Sequence, residues 1–467
     1  MPLAARLIAA AALALPAAVA NADDIDDAIS RTMSAHVKPG EPGCTVGVTQ
    51  GGSLTHALAF GLADLERGRA LDTKSVFNLA SVSKQFTAFA VLLLEQDGKL
   101  RVDDPVVTYL PELRKSAPGV TLAQLMHHTG GLRDYIEMLY MKGRSNADGT
   151  TIDEAVRLLA RQTGPNEAPG VEFDYSNTGY FLLGVVVSRV SGESLAEFSR
   201  QRIFEPLGMK NTSIVDRYPA PIPTLARGYA QSDAGFRIDE TGWEQVGDGQ
   251  VHSDLHDLAL WDENFYSGKL GGKALVAKMV DVGLLNSGES TGYAAGLGVH
   301  TSRGLRWVTH SGSWVGYRSS LRRAPDEHLS VIVLCNRAEA NASAYAEEVA
   351  EILLGEKLGP REPEENEPDP EPVVVQWDPG DPGRFAGVYY SPEADVRCVL
   401  DQRGVRLVLE GCAQGVVLRP GKPGEFVTTD GYAVLRFAAA GKDADGFIYW
   451  SPSLRGLPFK RVEEKFE

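Results

Sequence analysis

Residues 359–383 read GPREPEENEPDPEPVVVQWDPGDPG, and this stretch divides the chain into two folding units. Each proline lacks a backbone N–H and pushes the residue before it out of helical conformation, so neither helix nor sheet ladder runs through. Its glutamates repel one another, which makes the segment an extended, solvated interdomain linker. The unit that follows, 384–467, carries short apolar runs at 388–391, 396–400, 405–409, 415–418, 433–437 and 446–450. Gly, Asp and Pro turns separate them, the rhythm of a small antiparallel barrel or sandwich.

Residues 1–20, MPLAARLIAAAALALPAAVA, have the form of a cleaved signal peptide. Arg6 supplies the charged n-region, an Ala/Leu h-region follows, and Ala18-Val19-Ala20 is a small-x-small cleavage site before Asn21. No later stretch is apolar enough to span a bilayer, and no cysteine follows the h-region, so the expectation is a periplasmic or secreted protein without a membrane anchor. A net charge of −16 argues against nucleic acid, whose phosphates require clustered Lys and Arg. Hydrophobic residues at 43% exclude bulk disorder.

The first unit, 21–358, opens with two strand-like runs at 44–50 and 54–62 around a Gly51-Gly52 turn. It closes with runs at 307–310, 314–323 and 329–335 and an amphipathic stretch at 344–354. Between them helical and loop patterns alternate to about residue 280. Strands at both ends with helices between imply an α/β architecture: one sheet assembled from distant parts of the chain, with helices packed on its faces. Segment 86–94 is apolar on every side, so it reads as a helix buried in the middle of the domain.

Ser81-Val82-Ser83-Lys84 stands at the start of that helix. A serine and a lysine three apart share one helical face, and the helix N-terminus offers free N–H groups to a developing oxyanion. Alone, this pattern also describes an ordinary N-cap beside a solvated lysine. Tyr175-Ser176-Asn177 adds a phenol that a neighbouring lysine cation makes a better general base, and an amide able to bridge lysine and substrate. His310-Ser311-Gly312 leads into the next strand, its glycine permits close backbone approach to a ligand, and Ser313 N–H is a candidate oxyanion donor. His128-Thr129-Gly130 has the same local form but follows a helical stretch, so it reads as a structural helix terminus.

In this order, Ser-x-x-Lys, Tyr-x-Asn and His-Ser-Gly resemble the serine β-lactamase and penicillin-binding-protein family. Fragments LMHHTGGLRDY (125–135), IFEPLGMKNTS (203–213), ARGYA (226–230) and GLGV (296–299) extend the resemblance over about 24–358. It is nearest to the group of class C β-lactamases, D-aminopeptidases and D-alanyl-D-alanine carboxypeptidases. The resemblance implies an antiparallel sheet with helices on both faces and a helical region. It also implies that Ser81 is acylated, that Lys84 and Tyr175 activate it, and that Asn177 orients substrate. His310 takes the place that class C β-lactamases give to lysine, as in the peptidases and D-aminopeptidases. The C-terminal barrel resembles the lipocalin-like domains attached to D-aminopeptidases.

The activity so implied is hydrolysis, without a cofactor, of a peptide or amide bond beside a D-residue in a small peptide or acyl substrate. Esterase or β-lactamase activity, or a penicillin-binding sensor without turnover, are the alternatives. For a carboxypeptidase, Ser311 and Ser313 with Arg303, Arg306 or Arg318 would bind the substrate carboxylate. The four cysteines, Cys44, Cys335, Cys398 and Cys412, allow three pairings and include no C-x-x-C. If first and last strands lie antiparallel as in the family, Cys44 meets Cys335, and Cys398 with Cys412 flanks a turn; free buried thiols are the alternative. His252 and His256 have helical metal-ligand spacing, but Ser253 between them reads as an N-cap that leaves His252 outside the helix, so no metal site is expected. Tyr389-Tyr390 reads as a strand with one ring in and one out.

Overall fold

The structure, a computed structural model, describes residues 22–218, 220–361, 379–413, 415–438 and 445–463. The proposed signal peptide and most of the proposed linker lie outside these residues.

Leu329–Cys335 is apolar at nearly every position because both of its faces are covered. Val331, Val333 and Cys335 pack with Ile29 and Met33 of the helix Ala22–His36 and with Ala346 and Val349 of the helix Ala342–Leu354. Ile332 and Leu334 face the other way, into the core around the helix Lys84–Gln96. The strand is the fourth of six in an antiparallel sheet, ordered Gly298–Ser302, Leu305–Trp314, Tyr317–Ala324, Leu329–Cys335, Cys44–Gln50, Ser53–Phe60. First and last strands are thus neighbours. Cys44 stands opposite Cys335 in their register, and the two are disulfide-bonded across a Cα separation of 4.0 Å.

The helix Lys84–Gln96 is buried from Lys84 through Leu94, with Phe86 and Phe89 against Trp261 at 4.5 and 5.1 Å. Burial of side chains this size contributes roughly 1.5–3 kcal/mol each, which fixes the helix centrally. Two strand limits differ from the sequence expectation. His310-Ser311-Gly312 lies inside the strand Leu305–Trp314, and the turn to the next strand falls after Trp314. The polar edge strand Gly298–Ser302 has no apolar alternation that would announce it.

The C-terminal unit is a closed barrel of eight antiparallel strands from Gly387–Ser391 to Leu457–Val462. Two of them, Glu425–Thr428 and Leu457–Val462, went unread in the sequence: one is four residues amid Gly and Pro, the other contains Pro458. Tyr389 is buried inside while Tyr390 points outward to Asp395, and Cys398 is bonded to Cys412. The barrel docks on the first domain through the buried Arg133–Glu393 ion pair and through Tyr432, Tyr449 and Ser451, whose hydroxyls converge on Glu137.

Candidate active site

Ser81 sits on a single 3-10 turn, Ala80–Ser83, that runs directly into the buried helix. Ala80 adopts a positive φ of 48°, unfavourable for a residue with a Cβ. The turn is held from several sides. Asn78 Oδ1 accepts from Ala80 N at 2.8 Å, Leu79 N–H donates to Val251 O at 2.8 Å, and Ser319 Oγ donates to Leu79 O at 2.7 Å. Gly312 has a physical reason different from the one read in the sequence. A Cβ there would stand 2.3 Å from Leu79 O, so the close approach that needs glycine is to the Ser81 turn itself, not to a ligand.

Lys84 is fully buried, and its ammonium has three protons and three acceptors. Nζ donates to Ser81 Oγ at 3.0 Å, to Asn177 Oδ1 at 2.9 Å and to Asp248 O at 2.8 Å. Asn177 is the first residue of the helix Asn177–Ser191, capped by Ser176, whose Oγ accepts from Gly179 N. Tyr175 therefore stands immediately outside a helix N-terminus, 42% exposed, with Lys84 Nζ 5.0 Å from its ring centre. Its hydroxyl has no hydrogen-bond partner among the described residues.

His310 is nearly buried and its ring lies 6.2 Å from that of Tyr175. Nδ1 is 2.6 Å from Ser311 O, which can only accept, so Nδ1 carries the proton; Nε2 then accepts from Tyr293 Oη at 2.8 Å. Burial and the Lys84 charge push His310 down to about 4, so the ring is neutral at pH 7. His128 ends a helix, as its sequence context indicated, yet it also shapes the site. Its Nδ1 accepts from Ser176 N at 3.0 Å and its ring packs 4.3 Å from Tyr175, while burial holds its pKa well below the ordinary value.

Ser81, Tyr175, Asn177, His310, Ser311 and Ser313 all line one cleft of about 340 Å³. Tyr135, Asp248, Gln245, Trp243 and Trp314 line it too, and sequence reasoning had not singled them out. Tyr135 Oη donates to Asp248 Oδ2 at 2.8 Å, and burial raises the Asp248 carboxyl against the opposing pull of Lys84. A second cavity of about 930 Å³ opens between the domain and the barrel, sharing Ile136, Tyr175 and Asn177 with the first.

The three arginines considered for a substrate carboxylate are elsewhere. Arg303 is paired with Glu351, Arg318 donates to Val315 O and Tyr317 O, Arg306 is exposed, and none lines the cleft. His252 and His256 also diverge. His252 Nδ1 donates to Gln250 O from a short strand, while His256 contacts Thr73 from a helix whose N-cap is Asp254, not Ser253.

A family model described as Beta-lactamase matches residues 25–355. Penicillin-binding protein 4* of Bacillus subtilis is 33% identical over 329 residues, covering 67% of this chain and 72% of that protein. A D-aminopeptidase of Cereibacter sphaeroides is 30% identical over 315 residues, 67% of this chain but only 60% of that protein. Among solved structures, the octameric penicillin-binding protein homologue from Pyrococcus abyssi aligns over 94% of this chain and all of that one, with a TM-score of 0.62 and 22% identity. The D-amino acid amidase of Ochrobactrum anthropi with bound L-phenylalanine amide aligns over 72% of this chain and 99% of that one, with a TM-score of 0.60 and 24% identity. At these identities the two structures speak for the fold alone.

Proposed function

Because the chain belongs to the β-lactamase family of serine hydrolases, we propose that it cleaves amide bonds of substrates bearing a free D-amino acid amine, through an acyl-enzyme on Ser81. Ser81 Oγ attacks the carbonyl carbon while its proton passes to the Lys84–Tyr175 pair and on to the departing amine; water then takes the reverse route to release the acid. The backbone N–H groups of Ser81 and Ser313 hold the oxyanion, and Asn177 orients the substrate amide. The signal-peptide form of residues 1–20 supports an exported enzyme.

One observation carries the choice of substrate. Among the described residues no arginine or lysine lines the cleft, the Lys84 ammonium behind Ser81 donates its protons to Ser81, Asn177 and Asp248 O, His310 is neutral, and Asp248 lines the same space. Such walls favour an ammonium over a carboxylate. The relatives named D-aminopeptidases support the D-configuration. The test compares kcat/KM for D-amino acid amides with that for D-Ala-D-Ala peptides carrying a free C-terminal carboxylate. Amides should lead by at least about tenfold, since a buried carboxylate without a cation costs more than one kcal/mol. A preference for the carboxylate-bearing peptide, or a hundredfold preference for simple p-nitrophenyl esters over both, would overturn the assignment.

A further inference from the structure

The hydroxyl of Tyr175 has no hydrogen-bond partner among the described residues, so beyond the ring contacts with His128, Tyr293 and His310 its position depends on the backbone on either side. Both flanking residues are held from within the domain, where Asp174 N–H donates to His128 O at 2.8 Å and Ser176 N–H to His128 Nδ1 at 3.0 Å. The stretch that leads into Tyr175 is held by the barrel as well. Arg455, in the barrel loop 451–456, pairs through its guanidinium with Glu172 and reaches Asp174 Oδ2 at 3.7 Å. Its backbone N–H donates to Asn166 Oδ1 at 2.7 Å, and Asn166 Nδ2 donates in turn to Ser453 O at 2.9 Å.

The same loop grips a second wall of the cleft. Ser453 O accepts from Asp134 N at 3.1 Å, Arg455 O and Gly456 O accept from the Arg133 guanidinium at 3.2 and 3.1 Å, and Ser451 Oγ donates to Glu137 at 2.8 Å. Between Arg133 and Glu137 stands Tyr135. Its N–H donates to Thr178 Oγ1 at 2.9 Å, and its hydroxyl donates to Asp248, whose backbone carbonyl accepts from Lys84. Four residues of this barrel loop, Ser451, Ser453, Arg455 and Gly456, thus hold both chain segments that carry Tyr135 and Tyr175, while none of these contacts is to a tyrosine hydroxyl.

We propose that the barrel loop 451–456, through Arg455, is a positioning element of the active site that sets where Tyr175 stands relative to Ser81 and Lys84. This rests on Tyr175 acting in the reaction as proposed above. Arg455 is a positioning residue and not a catalytic one, because it acts only through Glu172, Asp174 and Asn166. Its planar fork suits two carboxylates at once, which a lysine cannot reproduce in geometry though it keeps the charge.

The test uses the full chain with R455M, R455K and, as a docking control, K142M. Lys142 also ties the domain to the barrel, pairing with Asp395 at 3.1 Å, but it lies beyond the helix Tyr135–Met141 and away from the Tyr175 segment. Hydrogen exchange by mass spectrometry should show faster exchange in peptides spanning 166–177 for R455M and no change there for K142M. Turnover of a D-amino acid amide should fall about tenfold or more in kcat for R455M with KM little altered, since displacement near 1 Å at a catalytic group costs up to about 10². R455K should recover part of it. Unchanged exchange at 166–177 in R455M overturns the proposal whatever the activity, and so does an equal loss of kcat in K142M. Absence of turnover in the wild-type protein would instead count against the proposed reaction, and leaves the exchange measurement to decide.

Discussion

Replacing His252 with glutamine should invert the order of stability between wild type and variant as pH falls. His252 is buried at 4% exposure, with one hydrogen bond from Nδ1 to Gln250 O, and burial pushes it from the ordinary 6.5 to about 4. Between those values the unfolded chain binds a proton that the folded chain refuses. Full stability is therefore present above the unfolded value, and it is lost as pH falls from there toward about 4. Each pH unit in this window is worth about 1.4 kcal/mol, so near pH 5 the wild type has lost about 2 kcal/mol through this one group. The glutamine variant lacks that linkage and gives up only a hydrogen bond of about 1 kcal/mol, the same at every pH. The wild type should thus be the more stable near pH 7.5 and the variant near pH 5. The pH profile of the wild type alone does not isolate the effect. Asp134, pushed up to about 7 by burial, has the opposite sign, since its folded form keeps a proton that the unfolded form releases. Urea denaturation of both proteins at several pH values, followed by tryptophan fluorescence, measures the difference, with equal m-values as the condition for comparison. A gap between them that stays constant within about 0.5 kcal/mol from pH 7.5 to 5 would refute the reasoning.

Ser81→Ala should abolish covalent labelling by a fluorophosphonate or a fluorescent penicillin; labelling that persists at another serine removes Ser81 from the nucleophile's role. Tyr175→Phe should lower turnover by about 10²–10⁴ if the phenol moves the proton, and an unchanged rate would leave Lys84 alone in that role. The bond between Cys44 and Cys335 spans 291 residues and that between Cys398 and Cys412 spans 14, so chain-entropy scaling gives about 5–6 and about 3 kcal/mol. Double alanine replacement of the first pair should cost more in denaturant stability than replacement of the second; the reverse order would show that strain or residual structure outweighs loop entropy. His310→Gln should keep activity within about tenfold and His310→Lys should not, because the ring is held neutral; retention only in the lysine variant would show that the site uses a cation there.

What was legible in the sequence follows from how local each signal is. Ser81 and Lys84 are one helical turn apart, so their contact follows from spacing alone. Tyr175, Asn177 and His310 reach the same cleft from far along the chain; their side-chain chemistry marked them as candidates, and the order of the motifs was the only sign that they share one site. Asp248, Tyr135 and Tyr293 carry no motif: the Lys84–Asp248 bond spans 164 positions and the Tyr135–Asp248 bond 113, distances at which composition and periodicity are silent. The barrel was readable where strands alternate cleanly, as in Gly446–Trp450, and unreadable where Pro458 interrupts an edge of the pattern. His128 shows a subtler limit. Its helix-terminal context was plain, but its second task, accepting the Ser176 N–H beneath Tyr175, depends on a partner 48 residues away.

Charge around Ser81 bears on the third motif and on the substrate. Lys84 directs all three of its protons inward, to Ser81, Asn177 and Asp248, so its ammonium offers no free donor to a ligand in the cleft. A second cation at position 310 would share a buried space with it, and the burial and Lys84 charge that push His310 down to about 4 would act on a lysine there as well. Tyr293 completes the arrangement, because its hydroxyl donates to Nε2 and so satisfies the neutral ring, whereas an imidazolium would leave two donors facing each other. His310 and Tyr293 therefore act as a neutral pair that tolerates the Lys84 charge nearby. An anionic substrate group entering here would lose water and find, besides dipoles, only the Lys84 charge, whose three protons are already donated to Ser81, Asn177 and Asp248. An ammonium would meet Asp248, whose carboxylate is already oriented by Tyr135. The neutral His310–Tyr293 pair thus accommodates the buried Lys84 charge, whereas the preference proposed for an amine rests on Asp248 and not on that charge.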